Sequence, residues 1–158
     1  MCDKKNSVQS LWKLVFLALV LIAVGTPSAE ATNSIKTRFL TAYPSAAGTR
    51  LATINSNNHC GSCHYDFSNA DIDNLNPYGE AIAANGTSST AILAIGSQDS
   101  DGDGFSNDTE ITGTGYTNIP TFPGLKPSNV SLVSNLPAGF TTADLSGFLV
   151  PIAGSITG

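Results

Sequence analysis

The sequence predicts a small, mainly α-helical and loop-rich fold with an extended C-terminal segment that admits β structure. Two short stretches carry helix start and stop residues. Pro, Gly, Ser and Asn interrupt the chain elsewhere. One segment of twelve residues collects much of its acid. The 158 residues, 41% of them hydrophobic and 12% charged, suit one globular domain and are too apolar for a disordered chain. A net charge of −5 leaves no broad basic surface for nucleic acid.

Residues 1–31 read as a secretory signal peptide. Lys4, Lys5 and Lys13 precede an apolar run of eleven residues, Leu14 to Val24. Thr26-Pro27 breaks the run, and Ala29-Glu30-Ala31 offers a small-x-small cleavage site. As a helix the run would reach about 16 Å against a membrane core of about 30 Å. A retained signal anchor is the alternative. No cysteine follows the run until Cys60, so there is no lipoprotein attachment site, and Cys2 leaves with the signal. The mature chain is then expected to be periplasmic or extracellular, with no membrane span.

Residues 32–117 form the expected main domain. Ile35, Phe39 and Leu40 suggest a short helix that must stop before Tyr43-Pro44, because a residue preceding proline is driven out of the α region. Asn76 can cap a helix with Pro77 at its first position, and Asn85-Gly86 can end it. Ser89 or Thr90 can open another helix through Ile95, with Ile92, Leu93 and Ile95 as its buried face. Residues 118–158 hold five of the eight prolines. There Val130, Leu132 and Leu136, then Phe148 to Ile152, read as extended segments. Pro137 and Pro151 restrict any central-strand role. The many large apolar groups predict that this segment packs on the domain or on a partner.

His59-Cys60-Gly61-Ser62-Cys63-His64 contains the C-x-x-C-H pattern of covalent c-type haem attachment. Two thiols must reach two vinyl groups on one macrocycle edge, and the histidine after the second thiol must turn under the iron. Gly61 and Ser62 permit the tight turn. A Cys60–Cys63 disulfide is the alternative in an exported chain. Zinc lacks ligands, since only His59 remains beside the triad.

Asp99 to Glu110 fits the twelve-residue D-x-D-x-[DN]-G-x5-E calcium pattern at every specified position. Five of the ten acids that follow the signal lie here. Ca²⁺ takes six to eight oxygens. Asp99, Asp101 and Asp103 supply carboxylates, Phe105 its backbone carbonyl, Asn107 a direct or water-bridged oxygen, and Glu110 two oxygens. Gly104 allows the sharp turn. With no second loop and no mature Met to line a groove, a structural clamp is expected rather than a paired sensor.

Tyr43-Pro44-Ser45 precedes the C-x-x-C-H motif, and Leu75-Asn76-Pro77-Tyr78-Gly79 follows it. Then come the Asp99–Asn107 run and Thr121-Phe122-Pro123-Gly124. In that order they resemble exported bacterial proteins that join one C-x-x-C-H haem site to a thrombospondin-type-3-like calcium loop, and the layout is similar to that of the secreted temptin-like proteins. The resemblance covers Tyr43 to Gly124. It implies haem on Cys60, Cys63 and His64, and calcium on the Asp99–Glu110 loop.

The missing residues narrow the chemistry. Met1 is the only methionine, so Met/His haem ligation within the mature chain is excluded. His59 adjoins Cys60 and cannot easily cross to the far face of its own haem. The sixth position is left to water, to an open iron, to Lys36, Lys126, Tyr43, Tyr65, Tyr78 or the α-amino group, or to another chain. His59 ligating the haem of a neighbouring copy would link copies into a homopolymer. The expected function is one-electron transfer, not enzymatic catalysis, with a redox partner protein or terminal acceptor. The alternatives are a secreted calcium-stabilised binding or structural module stapled by haem or a disulfide, and a haem-based sensor of small ligands. A hydrolase is disfavoured because no histidine except His59 is free to serve a nucleophile.

Overall fold

In a computed structural model, residues 30–48, 51, 60–68, 72–113 and 121–149 are described. The expected signal peptide lies outside them, apart from Glu30 and Ala31 at the start of the first helix. Among the described residues no helix is long and apolar enough to cross a membrane.

The first helix, α1 (Glu30–Ala42), begins before the expected Ile35 region and ends where Tyr43-Pro44 requires. The Tyr43 N–H still donates to the Phe39 carbonyl at 2.8 Å, so the last turn closes before a short 3₁₀ helix, Pro44–Gly48, carries the chain away. Phe39 and Tyr43 are buried, their rings 5.6 Å apart.

Helix α2 (Pro77–Asn85) has the predicted caps. Asn76 is extended, and its Oδ1 accepts from the Gly79 N–H at 3.0 Å. Pro77 occupies the first turn, where its missing N–H costs nothing. Gly86 stops the helix at φ 111°, a value that an L side chain would strain to adopt. Helix α3 (Ser89–Ala94) is capped by Ser88, one residue earlier than expected, through a 3.1 Å bond from the Ala91 N–H. Ile92 and Ile95 are buried, but Leu93 is 49% exposed. At about 100° per residue, Ile92 and Ile95 share one side of a helix and Leu93 falls on the opposite side from Ile95. Helix α4 (Asn107–Gly113) follows the acidic loop directly and buries Ile111.

The C-terminal expectation of extended structure is overturned at Pro127–Leu132 and Thr142–Leu149, while Leu136 lies in the non-helical stretch between them, where Ser134 makes one bridge. Lys126-Pro127 opens a 3₁₀ helix over Pro127–Leu132, so the alternation of Val130 and Leu132 is not that of a strand. Asn129 explains the turn: its Oδ1 accepts from the Lys126 N–H at 2.9 Å, and its own N–H returns to the Lys126 carbonyl at 3.0 Å. Phe148 and Leu149 end a helix, α5 (Thr142–Leu149). Thr141 and Asp144 cap it reciprocally: Asp144 Oδ2 accepts from the Thr141 N–H at 2.7 Å, and Thr141 Oγ1 accepts from the Asp144 N–H at 3.2 Å. Val150 to Ile152 lie outside the described residues.

The core joins all of these elements. Phe39 and Tyr78 meet edge to face, Phe67 lies against Phe122, and Leu125, Leu145 and Leu149 enter the same buried cluster. Residues 121–149 are therefore packed within the fold. Strand-like pairing among the described residues is limited to two isolated bridges, His64 with Leu75 and Asp66 with Ser134.

Candidate functional site

Cys60, Gly61 and Ser62 form one buried 3₁₀ turn. The N–H groups of Cys63 and His64 both reach the Cys60 carbonyl, at 3.0 and 2.9 Å. The thiols of Cys60 and Cys63 are not joined. Burial raises the pKa of both. Cys63 is pushed up to about 12, with Cys60 adding to the effect, while Asp66 contributes at Cys60. Such thiols are protonated at neutral pH and poor nucleophiles in the folded chain. His64 is half-buried and held in its bridge to Leu75. His59 lies outside the described residues, as does any contact it makes with another copy.

Helix α2 holds this turn from the other side. Asn76 Nδ2 donates to the carbonyls of Gly61 and Ser62 at 3.3 and 3.2 Å, and the Asn76 N–H donates to the Cys63 carbonyl at 2.9 Å. The same fully buried side chain therefore caps α2 and ties down the motif. Gly79 sits so close to the Cys63 carbonyl that a Cβ there would overlap it. The Phe67 ring covers Gly61 in the same way. Tyr78, on this turn of α2, is fully buried and its hydroxyl has no hydrogen-bond partner. Burial raises its pKa, and Cys63, Tyr43 and Asp108 push in the same direction.

The acidic loop is organised by its own backbone. Asp99 Oδ1 accepts from the N–H groups of Gly102 and Asp103 at 2.8 and 3.2 Å, and its Oδ2 accepts from that of Gly104 at 2.9 Å. Asp101 Oδ1 accepts from Asp103 at 3.1 Å, and Asp103 Oδ1 from Phe105 at 2.9 Å. Gly102 and Gly104 take φ values of 74° and 100°, which make the reversal possible. Oxygens of Asp99, Asp101 and Asp103 consequently lie within 4.8 Å of one another.

Beneath them Glu110 has no exposed surface, and neither of its carboxylate oxygens has a partner; nor does Asp101 Oδ2. A buried, unpaired carboxylate is expensive. Burial first, then the charges of Asp101, Asp103 and Asp99, push Glu110 up to about 10. Burial and Asp103 push Asp101 up to about 7. Oxygen donors of this number and charge, with unmet valence, suit a hard dication.

Three sequence assignments acquire different roles. Asn107 is buried, with Nδ2 donating to the Ile95 carbonyl at 2.7 Å and Oδ1 accepting from the Ser100 N–H at 3.3 Å. Its amide ties the loop to the end of α3. Tyr43 donates to Asp108 Oδ1 at 2.5 Å, joining α1 to α4. Lys126 donates through Nζ to the Asp101 carbonyl, which places its charge at the acidic loop. Only the chain's return through residues 121–126 brings that ammonium there, and no local pattern in the sequence signals it.

No known family, curated protein or solved structure matches the chain.

Proposed function

We propose that this protein is an exported monohaem c-type cytochrome that carries single electrons and is stabilised by one calcium ion. The observation supporting this most directly is the Cys60–His64 turn. Its two thiols are unjoined, its histidine follows at once, and Asn76 and Gly79 brace it from behind. The donor set fits haem: Cys60 and Cys63 would hold the macrocycle by thioethers and His64 would lie under the iron. Bound haem supplies the one-electron couple. The chain contributes a rigid turn and a largely apolar setting through Phe67 and Tyr78. Calcium would be held by Asp99, Asp101, Asp103 and Glu110, where both Glu110 oxygens and Asp101 Oδ2 are buried without a partner. It would act as a clamp between α3 and α4.

A second reading is a secreted, calcium-stabilised binding module without redox work. The unpartnered Glu110 carboxylate supports the calcium half of either reading equally. Mass and visible absorption of the protein from a host with working haem maturation separate the two. The cytochrome reading expects one added haem mass and a Soret band, both lost in the Cys60→Ala, Cys63→Ala double variant. A wild-type mature chain without haem mass refutes it.

A further inference from the structure

Lys126 brings a positive charge to the acidic loop from a distant part of the sequence. Its Nζ donates to the Asp101 carbonyl and lies where a side chain at residue 102 would crowd it, at 3.2 Å from an added Cβ. Gly102 leaves room for that approach.

The backbone carrying Lys126 is anchored independently of the loop. Leu125 before it is fully buried, and the Leu125 N–H donates to the Phe122 carbonyl at 3.1 Å. Asn129 closes the following turn on the Lys126 N–H at 2.9 Å. Gly124 packs directly on Asn76, the residue that holds the Cys60–Ser62 turn. The lysine is thus a tethered cation whose stem begins at a fixed point beside the carboxylates.

We propose that Lys126 is an affinity-determining residue of the calcium loop: its ammonium partly neutralises the carboxylates when no ion is bound and opposes a dication when one is. This inference rests on the calcium reading above. Ion binding and the lysine charge are thermodynamically linked. A charge that stabilises the ion-free loop and repels the ion lowers the binding constant by the difference between the two effects. A half-exposed ammonium acts across partly screened distances, so the effect is moderate and falls with ionic strength.

The test is calcium titration calorimetry on the full mature protein as isolated, with wild type, Lys126→Met, Lys126→Gln, Lys126→Arg and Glu110→Gln, at low and high ionic strength. Melting is followed in chelator alongside. Lys126→Met and Lys126→Gln are expected to bind calcium about tenfold more tightly than wild type, equivalent to about 1.4 kcal/mol. The gain should shrink at high salt, and both variants should melt lower than wild type in chelator. Lys126→Arg, which keeps the charge, should stay near wild type, and Glu110→Gln should lose most binding. Wild-type binding with equal or weaker affinity in both neutral variants overturns this proposal and leaves the calcium reading standing. No calcium binding by wild type or by the neutral variants overturns the calcium reading and this proposal together.

Discussion

Replacing Glu110 by Gln should make the calcium-free protein more stable and the calcium-bound protein less so. In the folded chain Glu110 has no exposed surface and no hydrogen-bond partner for either oxygen. Burial and three neighbouring aspartates raise its pKa from an ordinary 4.5 to about 10. Between those values the folded, calcium-free state holds a proton that the unfolded chain has released. Stability therefore falls as pH rises from 4.5. At about 1.4 kcal/mol per pH unit, the interval from 4.5 to 7 costs the folded state about 3 kcal/mol. Asp101, raised from 3.8 to about 7, acts in the same direction over its own interval.

Glutamine has the same shape and no charge, so it removes the Glu110 part of this cost. Its amide also offers donors to the neighbouring carboxylates. An imperfectly placed amide costs about 1 kcal/mol or more, leaving a net gain of about 1–2 kcal/mol in chelator near neutral pH. For a domain of this size that is a rise of roughly 5 °C in Tm. Calcium should raise the wild-type Tm, since a hundredfold excess over Kd adds about 2.7 kcal/mol. It should scarcely move the variant. The assay is thermal unfolding by circular dichroism from pH 5 to 9, with chelator and with calcium. In chelator the wild-type curve should slope downward with pH more steeply than that of Glu110→Gln. A variant that melts lower than wild type in chelator at pH 7 yet keeps the full calcium response would refute the reasoning.

Two further substitutions test the frame around the sites. Asn76→Ala removes the α2 cap and the side-chain donor to the Gly61 and Ser62 carbonyls, and should cost about 2 kcal/mol, read from the urea midpoint at constant m; an unchanged midpoint would mean that the turn does not depend on this clamp. Leu145→Ala empties a fully buried position in α5 and should cost about 2–5 kcal/mol by the same measurement, whereas a loss below about 0.5 kcal/mol would show that residues 121–149 do not share the folding unit.

The parts whose physics is local are legible in the amino-acid order. Asn76, Pro77, Asn85 and Gly86 mark both ends of α2, because capping and backbone preference act within a few residues. Tyr43-Pro44 marks the end of α1 for the same reason. The spacing of Asp99, Asp101, Asp103 and Glu110 is likewise a local pattern, and so is Cys60-Gly61-Ser62-Cys63-His64. Thr141 and Asp144 held a legible helix start in the C-terminal region, but the alternation of Val130 and Leu132 and the prolines suggested extended chain instead. What surrounds these local patterns comes from long-range packing. Burial turns Glu110 from a solvated acid into a carboxyl group without a partner whose ionisation is strongly opposed, and burial is a property of the whole core. Asn107 is placed in the loop by position, and only the fold brings the Ile95 carbonyl to its amide nitrogen. Asp108 meets Tyr43 across 65 residues, and Lys126 meets Asp101 across 25. Contacts at such separations depend on how the apolar faces of α1, α4 and the C-terminal segment pack together, and packing is non-directional and leaves no periodic trace at the polar residues it brings into contact.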